Sequence, residues 1–204
     1  LNALLYHLEW AISKAKLMNK DSSAAEYRRK AIRRGELIDK YCWNKARNFY
    51  TDYNFKTHKQ SNNINPGGMY PFCFINEHPD YSSFLGQKVA AVIRAKLLKP
   101  GGIVTSEFNT GEQWDAPNGW APLEWMTIWG LDRCGQKDLA ADIAARWVKL
   151  NKKVYKETGK LMEKYNVVDI NQEAGGGEYG GQDGFGWTNG VLLKLIRKYN
   201  LPKE

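Results

Sequence analysis

Apolar residues return at steps of three and four over most of this chain, the spacing that lines one face of an α-helix. Leu1, Leu4, Leu5, Leu8 and Ile12 make such a stripe at the start. Leu139, Ile143, Trp147, Leu150 and Val154 make a cleaner one later, a single buried face that calls for neighbours on one side only. The whole pattern predicts helices over residues 1–19, 23–43, 82–98, 119–134, 136–157 and 187–199. A seventh, shorter helix is expected near 64–75, where Pro66, Gly67, Gly68 and Pro71 obscure the period. Ser23-Ala24-Ala25-Glu26 has the form of a capping box, Ser82 or Ser83 suits the start of the third helix, and Thr188 or Asn189 a late start of the last. Gly101-Gly102 after Pro100, and Gly135 after Cys134, mark helix ends.

Between these helices the chain is polar and aromatic. Phe49 to Phe55 is expected to form a short hairpin, while Val104 to Pro122 and Leu161 to Trp187 are long and irregular. Loops beyond about 15 residues inside a compact domain are usually functional. One of them holds Gly175-Gly176-Gly177-Glu178-Tyr179-Gly180-Gly181-Gln182-Asp183-Gly184-Phe185-Gly186-Trp187-Thr188-Asn189-Gly190. So many glycines let a backbone approach a ligand closely, at an entropic cost that a plain connection has no reason to bear. Gly175, Gly177 and Gly180 also fit the spacing of a dinucleotide fingerprint, but no strand precedes them and no helix opens at once, so no cofactor is inferred.

Composition narrows the class. With 204 residues, 43% of them hydrophobic and 25% charged, the chain is globular and long enough for one core. It has no apolar run of about 18 residues, and Leu1-Asn2-Ala3-Leu4 lacks the basic start and cleavage site of a secretory signal. Leu1 already lies on a helical stripe, so the chain is expected to open inside a helix. Cys42, Cys73 and Cys134 are odd in number and scattered, with three histidines beside them. That predicts neither a metal site nor a disulfide framework and leans towards a reducing compartment, the cytoplasm. The net charge of +8 gathers at Arg28-Arg29-Lys30 and Arg33-Arg34. These positions wrap one broad helix face opposite Ala24, Tyr27, Ala31 and Leu37, which reads as a solvated outer face, with neither a nucleic acid nor a membrane as partner.

Two stretches carry more specific chemistry. Gln113-Trp114-Asp115-Ala116-Pro117-Asn118-Gly119-Trp120-Ala121-Pro122 combines two indoles, a carboxylate, two amides and two prolines. Flat apolar faces for pyranose C–H groups, with fixed polar ends for hydroxyls, suit a sugar-binding wall. This stretch and the glycine-rich one together resemble the two C-terminal signatures of the trehalase family, glycoside hydrolase family 37. The likeness extends over the whole chain. It implies an all-α fold, the second half of an (α/α)6 toroid, with residues 1–204 forming a single partial domain and six or seven helices joined by long active-site loops.

The resemblance also implies roles. An inverting glycosidase uses one carboxylic acid to protonate the glycosidic oxygen and one carboxylate to activate water on the opposite face, roughly 6.5 to 9.5 Å apart. The family's base stands in a Leu-x-Glu-Lys-Tyr setting; Leu161-Met162-Glu163-Lys164-Tyr165 matches, which makes Glu163 the expected general base. Glu178 matches the glutamate that holds a sugar hydroxyl. Trp114, Trp120 and Trp187, with Phe185 and Gln182, are expected to line the pocket, although large aromatics also serve as plain core. Asp115, Asn118 and Asp183 either orient water or cap local structure. The family's acid motif is not found, so the acid is expected upstream of Leu1 and this chain is expected to be inactive by itself. Trehalose and glucose are the implied ligands, and the partner is the missing N-terminal half or a second copy. Gly180-Gly181 stands where many bacterial relatives carry proline and an apolar residue, a departure expected to loosen the loop. Another inverting α-glucosidase on the same toroid, or a non-catalytic sugar-binding half, remains open.

Overall fold

A computed structural model describes residues 1–75, 84–176 and 180–202. Seven α-helices dominate them: α1 (Asn2–Met18), α2 (Ala24–Cys42), α3 (Tyr70–Phe74), α4 (Phe84–Val92), α5 (Ala121–Arg133), α6 (Lys137–Thr158) and α7 (Gly186–Tyr199). A 3-10 turn over Pro66–Met69 leads into α3, and a π-helical turn over Ile93–Leu97 continues α4. Pro66, Gly67 and Gly68, which blurred the sequence pattern, sit in that 3-10 turn, and Pro71 in the first turn of α3. Asn65 caps it, its side-chain oxygen accepting the Gly67 N–H at 2.9 Å.

The helices pack as two rows. α1, α3, α5 and α7 touch in that order, while α2 covers α1 and α6 lies across α5 and α7. This is the all-α arrangement expected of half a toroid. The stripe on α6 is present but wider than its sequence suggests, because Ala140, Ala144 and Val148 are buried beside Leu139, Ile143, Trp147 and Leu150. Two neighbouring helices, not one, demand that breadth.

On α1 the buried face differs from the expected one. Ala3, Tyr6 and Trp10 pack towards the core, with Tyr6 and Trp10 stacked at 6.0 Å, whereas Leu1, Leu4 and Leu8 are exposed. α1 is therefore apolar on two faces, and only one is covered. The aromatic face won because it meets α2 at Gly35, where even a Cβ would stand 3.3 Å from the Tyr6 ring.

Other local signals also resolve differently. The Ser23 hydroxyl does not cap α2; it donates to Asp21, and Glu26 pairs with Lys30 at 2.7 Å. Arg28, Arg29, Lys30 and Arg33 of the basic run are exposed, as a solvated face requires, with Arg33 paired to Glu36 at 3.2 Å, whereas Arg34 is half-buried against Glu9 of α1 at 2.7 Å. Thr188 and Asn189 lie inside α7, not before it. Ser82 and Ser83 fall outside the described residues.

Among the described residues, eight two- or three-residue strands form four antiparallel pairs in the loops. β1 (Trp43–Asn44) pairs with β2 (Phe49–Tyr50), and β3 (Tyr53–Asn54) with β4 (Lys59–Gln60). The segment 49–55 is thus shared by two consecutive hairpins and is not a hairpin of its own. Each turn is built alike: an Asn side chain, Asn44 or Asn54, accepts two backbone N–H groups, and the residue before the return strand, Asn48 or His58, takes positive φ. β5 (Leu98–Lys99) and β6 (Gly102–Ile103) turn the chain after the π-helical segment, and β7 (Asn118–Trp120) pairs with β8 (Lys164–Asn166).

Candidate active site

The last strand pair places the two sequence signatures on either side of Glu163. β7 belongs to the first signature, and its Asn118, Gly119 and Trp120 stand opposite Asn166, Tyr165 and Lys164. On the other side the Glu163 N–H donates to the Gln182 carbonyl at 2.7 Å, the Gly184 N–H donates to the Leu161 carbonyl at 3.1 Å, and Met162 bridges Asp183. Residues 161–166 are therefore threaded between the tryptophan loop and the glycine-rich loop. Two side chains fix the thread: the Thr188 hydroxyl donates to the Met162 carbonyl at 2.8 Å, and the Met162 N–H donates to the Tyr165 hydroxyl at 2.8 Å. Burial pushes that phenol up to about 12.

Glu163 is buried, and its Oε2 lies 3.3 Å from the ammonium of Lys164, also buried. The same ammonium stands 5.5 Å from the centre of the Trp120 ring, a cation–π contact. Trp120 stacks flat on Trp114 at 3.8 Å, and Trp187 meets Trp120 edge-on at 5.9 Å with Phe185 stacked behind it. Of the stacked pair Trp120 is the inner layer, 1% exposed, while Trp114 presents an open face, 50% exposed. The aromatic residues singled out from sequence thus form one cluster beside Glu163. Gln182 is exposed, and the contact it makes to Glu163 is through its backbone.

The tryptophan loop is braced from within. Asp115 accepts from the Ser106 hydroxyl and from both the N–H and hydroxyl of Thr110 at 2.8 and 2.7 Å. Burial works against its charge, yet these donors together hold the carboxyl below the usual range. Asn118, fully buried, joins the loop to the glycine-rich one: its amide donates to the carbonyls of Gln113 and Gly175 at 3.1 and 2.5 Å and accepts the Gly175 N–H at 3.3 Å. Gly176, at φ +83°, lies so close to Gly111 that a Cβ would stand 2.7 Å from its carbonyl oxygen. Glu178 lies outside the described residues.

Sequence reasoning missed a cavity of about 720 Å³ at the end of the helix row where α1, α3 and α5 begin. Asn2, Thr51, Asp52, Asn63, Asn65 and Trp114 are among its walls. The Thr51 hydroxyl and the Asn63 side-chain oxygen are buried with no hydrogen-bond partner among the described residues, polar atoms suited to a hydroxyl-bearing ligand. Glu163 does not line the cavity; Trp114, Trp120 and Lys164 connect the two. The run Asn62-Asn63-Ile64-Asn65 was the one available sequence signal. Among the described residues no three His, Cys, Asp or Glu side chains stand close enough to hold a metal ion.

Comparison with known proteins places these features. The trehalase family model matches residues 1–200. The chain is 42% identical over 205 residues to the periplasmic trehalase of Citrobacter koseri and 40% identical over 202 residues to that of Xanthomonas campestris pv. campestris, covering 100% and 99% of itself and 35% of either relative. It thus spans about a third of the length of these curated relatives. Among solved structures the neutral trehalase Nth1 of Saccharomyces cerevisiae superposes with a TM-score of 0.81 at 25% identity, over 97% of this chain and 37% of that one. A GH63 mannosylglycerate hydrolase of Thermus thermophilus, solved with glucose, shares the fold at 17% identity, with a TM-score of 0.67 over 97% of this chain and 46% of that one. The periplasmic relatives overturn the expectation of a cytoplasmic protein. That expectation rested on scattered cysteines, and Cys73 and Cys134 are buried free thiols, small hydrophobes that carry no information about compartment. With the family model matched along almost its entire length, the chain belongs to the trehalase family.

Proposed function

We propose that this chain is the general-base half of an inverting α,α-trehalase site and that residues 1–204 form one partial domain of it. The carrying observation is the threading of Glu163 between both family signatures. In this reading the Glu163 carboxylate takes a proton from water as the water oxygen attacks the anomeric carbon. A carboxylic acid on the opposite face protonates the departing glycosidic oxygen, so two glucose molecules leave and the attacked centre is inverted. Lys164 and the Trp120 ring hold the base in place. Trp114 offers a flat face to a pyranose, and Glu178 accepts a sugar hydroxyl. The names of the relatives favour trehalose over another α-glucoside and the periplasm as location.

The acid is assigned to the region that precedes this chain's match in the longer relatives. The same region is assigned to cover Leu1 at the cap of α1, Leu4 and Leu8 of α1 and Leu193 of α7, all exposed. The test is trehalose hydrolysis by this chain alone, and again with the N-terminal two-thirds of the Citrobacter koseri enzyme supplied. No turnover is expected alone, and inverted product is expected from the pair. Glu163→Gln should lower the pair's rate by about 10²–10⁴. Turnover by the isolated chain would refute the division of acid from base.

A further inference from the structure

Four residues after Trp120, in the first turn of α5, Glu124 is wholly buried. Its Oε1 accepts the Ile103 N–H at 2.6 Å, and its Oε2 has no hydrogen-bond partner among the described residues. Space for the carboxyl is left by two glycines. A Cβ on Gly102, at φ +140°, would stand 2.4 Å from Oε1, and one on Gly119 3.2 Å from it. The carboxyl is thus clasped between β6 and β7, at the root of the strand that bears Trp120.

No cation faces it. β6 brings Gly102 and Ile103, and β7 brings Asn118, Gly119 and Trp120, none of them ionisable. Across β7, the Lys164 ammonium is paired with Glu163, and the Tyr165 hydroxyl accepts the Met162 N–H. The buried face of α6 presents Ile143, Trp147, Leu150 and Asn151. On α3 the Cys73 thiol donates to the Met126 carbonyl, and Lys198 of α7 pairs with Asp132, two turns further along α5. Burial accordingly pushes the Glu124 carboxyl well above the usual glutamate range, with the Ile103 N–H opposing in part.

We propose that Glu124 is a positioning residue that acts uncharged: it ties β6 to the first turn of α5 and so holds β7, with Trp120 and the paired strand next to Glu163, in place. Its relevance to catalysis rests on the function proposed above, but the arrangement itself does not. A charged Glu124 would need more donors than one backbone N–H. Ionisation is therefore expected to loosen β7 and open the Trp114–Trp120 stack. Because the folded-state pKa is raised, the contribution is complete at pH below the ordinary glutamate value and is lost as pH rises through the raised value.

The experiment follows near-UV circular dichroism of the indoles, far-UV dichroism and the thermal midpoint of this 204-residue chain from roughly pH 5 to pH 9. Glu124→Gln keeps the shape and the Ile103 hydrogen bond without a charge. The unsubstituted chain should lose indole signal as pH rises while its helical signal persists, and Glu124→Gln should hold the signal at every pH. Glu124→Ala should be weakened throughout. Identical pH profiles for the unsubstituted and Gln forms would overturn the proposal. A midpoint that falls with pH while the indole signal stays flat would overturn it too, since that is the mark of a purely structural residue. If the Ala form does not fold, the comparison with Gln still decides. None of these signals depends on turnover, so the trehalase assignment and the role of Glu124 fail separately.

Discussion

Asp115 and Glu124 are buried carboxyl groups nine residues apart in sequence, and their surroundings push them in opposite directions. Around Asp115 the loop turns hydroxyls and backbone N–H groups inward, so both carboxylate oxygens are met. Around Glu124 two strands pass with glycines, and one N–H is all they offer. Burial is common to both; the number of converging donors sets the sign. The loop that presents Trp114 is braced by a charge, and the strand beneath Trp120 by a neutral acid. Asp115 supports the fold above its unfolded pKa and loses that effect as pH falls through its lowered folded value. Glu124 does the reverse. The tryptophan pair is thus bounded by an acid limb from one side and an alkaline limb from the other.

The largest expected effect strikes the neutral side. Gly102→Ala forces a Cβ to 2.4 Å from Glu124 Oε1 at a φ of +140° that side chains rarely adopt. Overpacking and backbone strain together should cost about 4 kcal/mol, measured by denaturant unfolding at neutral pH. Combined with Glu124→Ala, which removes the obstructed carboxyl, the loss should shrink by more than half if the clash is with that group; no shrinkage would place the strain in the backbone alone. The middle effect strikes the charged side. Asp115→Asn keeps the shape but turns an NH2 group towards donors, and should cost about 2 kcal/mol near neutral pH. It should also flatten the acid limb of the stability profile while leaving the alkaline limb untouched. An alkaline limb that moved with Asp115 would show the two carboxyls to be coupled and the contrast between them false.

The helices were legible because their apolar period survives tertiary packing: six segments read from sequence correspond to observed helices, α4 being described from Phe84. What α1 buries was not legible. Leu1, Leu4 and Leu8 and the trio Ala3, Tyr6 and Trp10 are both valid stripes, and the choice between them is made by Gly35 on another helix. The twin hairpins were blurred for a local reason, since strands of two residues carry no alternation to detect. At the candidate site, Glu163 was singled out by its motif, whereas nothing local to it announces that its backbone pairs with Gln182. Glu124 was invisible: in sequence it is an ordinary polar residue on a helix, and its burial depends on Gly102 and Gly119, distant in the chain.

The smallest effect separates two ways of holding the glycine-rich loop against Glu163. Lys160 and Asp183 form an ion pair at 2.6 Å directly beside the rungs that join Glu163 to Gln182 and Gly184 to Leu161. The Lys160 hydrogen bond is the main reason that the Asp183 carboxyl is lowered, and the reciprocal bond raises Lys160. Both side chains are exposed, however, and exposed pairs are screened by water and salt. The backbone rungs are shielded by contrast, because Glu163 itself is buried. Lys160→Ala is therefore expected to leave the unfolding midpoint unchanged and to leave hydrogen exchange at the Glu163 amide within about twofold of its original rate. A rise of tenfold or more would mean that the surface charge, and not the paired backbone, registers the loop on Glu163.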